Sequence, residues 1–294
     1  MNFDYGNILT RTFQITWKHK VFWGILTLPM LVSFALFPFM FAFIFFIEEN
    51  PSEMNNLFLV GFFILFILLI LISTILQIFA VSAVTLGIVR VERDEGSVKF
   101  MDLLNDSREY FWRQLGVFLI VQLSVGAIFA AFFAFVFAAT MVTMGLASLC
   151  LQPIIILMTP LSFLMIGVLE AAHTAVITEN LNAWDAVKRG INVVREHIWK
   201  YIILTLIVYF GVSILSVFLI FPMFIPMMAF PILAESGNEI GNFPMMGIII
   251  IFLCIFFPIM AFVSAISQTL LKTSLDLTYL RLTQKGENQV IVSE

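Results

Sequence analysis

Five stretches of this chain, residues 21–47, 57–89, 115–178, 201–233 and 245–271, are long, apolar and almost free of charge. A bilayer core is crossed by roughly 20 apolar residues in a helix. The stretch 115–178 is far too long for one crossing at about 1.5 Å per residue. Gly145 and Pro153 break it within residues 145–153, so the pattern predicts six spans. The chain is 61% hydrophobic and only 12% charged, against about 25% charged in soluble domains. A water-soluble fold has nowhere to bury that much apolar side chain, so the expected solvent is lipid.

All 15 Lys and Arg residues lie before Val21, between Arg90 and Arg113, between Lys188 and Lys200, or from Lys272 onward. Six spans put these four segments on one side of the membrane. The other side carries Glu48, Glu49, Glu53, Glu235 and Glu239 and no basic residue. Lys and Arg near span ends resist translocation, which predicts a multi-pass protein of a cytoplasmic (inner) membrane, prokaryotic, with both termini cytoplasmic. The first 20 residues hold Asp4, Arg11, Lys18 and Lys20 and no apolar h-region, so no cleavable signal peptide is expected. Cys150 and Cys254 lie in or beside apolar runs and read as small hydrophobes.

A segment of helical periodicity precedes each odd-numbered span. In the first, Tyr5, Ile8, Leu9, Phe13 and Trp17 oppose Asn7, Arg11, Gln14 and Lys18. In the second, Phe100, Leu103, Leu104 and Phe111 oppose Asp102, Asp106, Glu109 and Arg113. In the third, Val187, Ile191, Val194 and Ile198 oppose Lys188, Asn192, Arg195 and Glu196. Three- and four-residue spacing marks amphipathic helices. Each segment ends on Trp followed by a base, at Trp17, Trp112 and Trp199, which suits the headgroup boundary. The predicted fold is an all-α integral membrane protein of six transmembrane helices in three hairpins. Each hairpin follows a cytoplasmic interfacial amphipathic helix whose apolar face meets the bilayer. One membrane domain, 1–294, would hold repeats 1–92, 93–179 and 180–284 about a pseudo-threefold axis, with 285–294 as a cytoplasmic tail. Mitochondrial carriers also use three two-span repeats, but Pro29 and Pro38 have no acid two residues on, so their signature is missing.

Polar residues within the spans are few. Glu170 and His173 share a helical face, and Lys272 and Asp276 form an i,i+4 pair on the sixth span; Gln77, Gln122 and Gln268 add polar points. A charge at membrane depth costs roughly 2.5–3.5 kcal/mol on insertion scales, so such groups face inward and find partners. The cluster reads either as an ion-pair lock between the fourth and sixth spans or as a proton, ion or substrate path. Small residues at four-residue spacing, Gly126, Ala130, Ala134 and Ala138, with Gly167, Ala171, Ala175 and Ala261, Ala265 on later spans, allow close helix packing. Internal packing is the expected use of the first stripe, a dimerisation face the other. The Pro222, Pro226 and Pro231 stretch cannot be one regular helix and is expected to end the fifth span.

Residues 185–200, with Ala186, Lys188, Arg189, Gly190, Arg195 and Trp199 at the matching positions, resemble a pattern in a broad group of prokaryotic multi-pass proteins. That group includes the membrane domain attached to some glycerophosphodiester phosphodiesterases. The resemblance implies a membrane domain; these 294 residues contain no hydrolase barrel, so the phosphodiesterase activity is not implied. No phosphate-binding glycine loop, His-Glu-x-x-His or Gly-x-Ser-x-Gly occurs, and His19, His173 and His197 are far apart in sequence. No catalytic residue, cofactor or metal site is therefore expected. The first functional reading is a non-catalytic domain that binds membrane lipids or a cytoplasmic or membrane protein partner, not nucleic acid. The second is a transporter or channel near Glu170 and His173, and the third an intramembrane enzyme.

Overall fold

Every described element in the computed structural model is a helix. It describes residues 3–49, 56–93, 98–143, 145–220 and 242–291. In chain order the helices are α1 (Tyr5–Lys18), α2 (Val21–Glu49), α3 (Asn56–Arg93), α4 (Phe100–Ser107), α5 (Phe111–Val142), α6 (Leu146–Thr178), α7 (Ala183–Glu196), α8 (Ile198–Ile220) and α9 (Asn242–Ile291). Glu53, Glu235, Glu239 and the Pro222–Pro226–Pro231 stretch lie outside the described residues, as do the side chains of Glu48, Glu49, Cys150 and Cys254.

Local chemistry sets the helix ends. The Asp4 carboxylate caps α1 by accepting the Asn7 N–H at 3.0 Å, and Lys18 in the last turn meets the negative end of the helix dipole. Asn182 caps α7, accepting the Asp185 N–H at 2.9 Å and donating to its carboxylate at 2.7 Å. The long run 115–178 breaks at Gly145, whose φ of +96° costs a residue without Cβ little. Pro153 and Pro160 lie inside α6, and Pro258 inside α9. Each removes one backbone donor, which spanning helices tolerate where neighbours re-satisfy the freed carbonyl.

Four described helical segments are long and apolar enough to cross a membrane: Phe58–Arg93, Phe111–Val142, Thr159–Thr178 and Ile255–Thr283. A fifth arises if α7 and the start of α8 count as one bent span, the bend being 92° at His197; Val21–Phe34 in α2 is a shorter apolar stretch. Only 6% of the apolar window in α3 and 11% of that in α5 is buried, against 44% in α6 and 33% in α9. The first two thus present apolar surface outward, while α6 and α9, which bear Glu170, His173, Lys272 and Asp276, bury a larger share of theirs against protein. Helix α9 runs without interruption through Lys272 to Ile291, so most of the expected tail is helical.

Two compact units divide the chain, and both cut across the sequential repeats. One gathers residues 1–19, 82–209 and 270–294, the other 20–81 and 210–269. In the first, α7 packs along α6 and α5. A Cβ on Gly190 would stand 2.9 Å from the Val168 carbonyl oxygen and 3.0 Å from the Ala172 nitrogen, so only glycine allows this approach. In the second, Ser33 and Ser73 hydroxyls meet at 2.6 Å, and Trp23 packs edge-on against Phe262 with centroids 5.9 Å apart.

Three expectations change. The face of α7 centred on Ala186, Val187, Gly190, Val193 and Val194 packs on protein, while Ile191 and Ile198 are exposed. The apolar side of that helix is therefore not the bilayer-facing side: closer packing is available against α6 than against lipid chains. Second, Trp17 lies in the last turn of α1, whereas Trp112 and Trp199 open α5 and α8, so the three anchors do not mark equivalent positions; all are exposed. Third, Gly126, Ala130, Ala134 and Ala138 are exposed, and a Cβ on Gly126 would meet nothing within 4 Å. Helix α5 buries Gln114, Val117 and Val121 instead, because polar Gln114 finds its partners there. The other small residues do pack inside: Ala171, Ala175, Ala261 and Ala265 are fully buried, and a Cβ on Gly167 would touch the Tyr201 ring at 3.0 Å.

Candidate functional site

The intramembrane polar residues of the first unit come from α3, α5, α6 and α9. On α6, Glu170, His173 and Thr174 share one side through their three- and four-residue spacing. On α9, Lys272 and Asp276 do the same. The Lys272 ammonium donates to the Glu170 carboxylate and lies 3.9 Å from an Asp276 oxygen. The Thr174 hydroxyl donates to the other Asp276 oxygen at 2.8 Å, while the Asp276 oxygen facing Lys272 and the buried Thr85 hydroxyl of α3 find no hydrogen-bond partner among the described residues. Lys272 is 3% exposed and Asp276 not at all, while Glu170 retains 16%. The buried ammonium is thus met by two carboxylates, one of them also held by a hydroxyl.

His173 takes a different partner. Its Nδ1 meets the Gln114 carbonyl oxygen, while the Gln114 amide donates to the His173 backbone carbonyl at 3.0 Å. Because the Gln114 oxygen can only accept, Nδ1 carries the proton. This pair joins α5 to α6 in a fully dry position, with Gln114 at 0% and His173 at 3% exposure. Gln114 has no charge and stands between Arg113 and the apolar run that begins at Leu115, so nothing in the sequence set it apart from an ordinary polar residue at a span end. Gln122 is exposed on α5 and joins neither group. Gln77 and Gln268 meet each other in the second unit, amide to carbonyl at 3.3 Å.

The first unit also holds a cluster of cations about the ends of α1 and α3. Glu92 accepts from Arg11 of α1 at 3.1 Å and from Arg281 of α9 at 2.8 Å, while Arg90 pairs with Asp106 at 2.6 Å. An open cleft of about 790 Å³ lies there, lined by Arg11, Trp17, Lys18, His19 and Arg90 among others. Burial, then the charges of Lys18 and Arg11, push the His19 pKa below its ordinary value. Elsewhere in the same unit, Glu179 accepts from Tyr279 at 2.5 Å and from Arg189 at 3.2 Å. Among the described residues, no three His, Cys, Asp or Glu side chains gather in a way that would hold a metal ion.

Compared with known protein families, curated proteins and solved structures, the chain matches none.

Proposed function

We propose that this chain is a non-catalytic, multi-pass membrane domain that binds lipid or a protein partner at its basic side. The reading takes α2 and the α8 segment as crossings besides the four long spans, giving six in three hairpins with the basic side cytoplasmic. An interfacial helix, α1, α4 or α7, precedes each hairpin; the 92° bend between α7 and α8 supports that arrangement. The resemblance of residues 185–200 to a pattern in prokaryotic multi-pass membrane proteins supports the same reading.

The observation that carries the reading is the pairing of Lys272, buried and held between Glu170 and Asp276. Groups committed to one another in a dry position lock helices together; a transport path needs them open to water and to a moving ion. A second reading has a specific observation in its favour: two carboxylates face one ammonium, so acids outnumber bases at this buried position. Reconstitution in liposomes separates the two. A non-catalytic binding domain retains bound lipid or partner and conducts no protons above empty vesicles. Proton flux that Glu170→Gln abolishes would install the transporter reading in its place.

A further inference from the structure

The cation cluster at the ends of α1 and α3 is not explained by helix locking. Arg11, Gln14 and Lys18 recur at three and four residues along α1 and line the cleft, with Arg90 from the last turn of α3. In the described ion pairs Arg11 and Arg281 share Glu92 and Arg90 takes Asp106, and Lys18 takes part in none of them.

The guanidiniums are also held in place. Arg11 uses its Nε on Glu92, which Arg281 fixes from the other side, and Arg90 uses one Nη on Asp106. Each guanidinium has five N–H donors in a rigid fork, so donors remain after one bond to a carboxylate. Planar forks anchored by acids suit the tetrahedral oxygens of phosphate better than mobile surface lysines do, because less side-chain freedom is lost on binding.

The surroundings favour a lipid as the bearer of that phosphate. Trp17 lines the cleft and is exposed, as is Phe13 one turn earlier, so an aromatic strip runs beside the cations. The apolar run of α2 begins at Val21, three residues beyond Lys18. Aromatic rings and basic side chains together at the start of a span match the headgroup layer.

We infer that this cleft binds a phosphate ester, carried by an anionic phospholipid whose headgroup phosphate lies among Arg11, Lys18 and Arg90. The inference rests on the lipid-binding reading above and gives it a location. The test uses the full chain in phosphatidylcholine nanodiscs, titrated with short-chain phosphatidylglycerol, short-chain phosphatidylcholine and glycerol phosphate, with binding read as a dissociation constant. Lys18→Gln is the main variant because Lys18 is exposed and its loss leaves the Arg–carboxylate pairs intact. Lys188→Gln, removing a cation that lies over the Trp184 ring at 5.4 Å, is the control. Phosphatidylglycerol is expected to bind in preference to phosphatidylcholine, about fivefold more weakly in Lys18→Gln and unchanged in Lys188→Gln. Preference for phosphatidylglycerol that Lys18→Gln leaves untouched would overturn this site while sparing the lipid-binding reading. Glycerol phosphate binding as tightly as the lipid would overturn the lipid as bearer. Retention of no lipid and no partner by the purified protein would remove the broader reading as well.

Discussion

Lys272 of α9 and Glu170 of α6 are ion-paired in the interior of the first unit, with only 3% and 16% of their side chains exposed. Removing one partner of such a pair leaves the other short of its counter-charge in a setting that solvates it poorly. Glu170→Gln is expected to destabilise by up to about 3 kcal/mol, toward the low end for buried pairs because Glu170 keeps some exposure and Lys272 keeps Asp276. Lys272→Met should cost more alone, because it leaves buried Asp276 without its cation, and should cost less in the Glu170→Gln background than in the wild type. Melting in detergent for both single variants and the double measures the coupling, and strict additivity would refute direct pairing.

Gly190 tests the packing of α7 on α6. Alanine there brings Cβ to 2.9 Å from a backbone oxygen, and neither helix can yield without moving the other. Gly190→Ala should lower stability by about 1–3 kcal/mol. Gly126→Ala, with nothing within 4 Å, should be neutral or slightly stabilising through helix propensity. Equal effects at the two sites would mean that α7 does not pack as described.

His19 gives the protein a pH dependence of known sign. Its folded-state pKa is lowered, first by burial and then by Lys18 and Arg11. Above the ordinary His value of about 6.5 the ring is neutral folded or unfolded, and it contributes nothing. As pH falls below that value the unfolded chain takes up the proton more readily, so the folded state loses stability. The effect is small because the ring is only partly buried. Replacing it, His19→Gln, should flatten the fall in melting temperature between pH 7 and pH 5; a steeper fall would contradict the assignment.

Membrane orientation is open to a labelling test. In a background with Cys150 and Cys254 replaced, cysteines at Asn55 and Asn238 should react with an impermeant thiol reagent in intact cells. One at Asn105, exposed on α4, should react only after permeabilisation. The reverse pattern would invert the topology.

Hydropathy and charge are properties of single residues summed along the chain, and what depends on them was readable from the sequence. The apolar helices follow from the charge-poor runs, and the division of 115–178 from the break at Gly145. Even the Glu170–Lys272 pair could be foreseen, since few charges compete for partners at that depth. Which way each helix turns about its own axis was not readable. Lipid chains and protein interiors are both apolar, so the pattern on α5 could not say whether its small residues or Gln114 would face inward. His173 likewise follows Glu170 on α6, yet its hydrogen bonds go to Gln114 on a different helix. Rotation and pairing are fixed by contacts between helices far apart in the chain, and only the folded structure holds those.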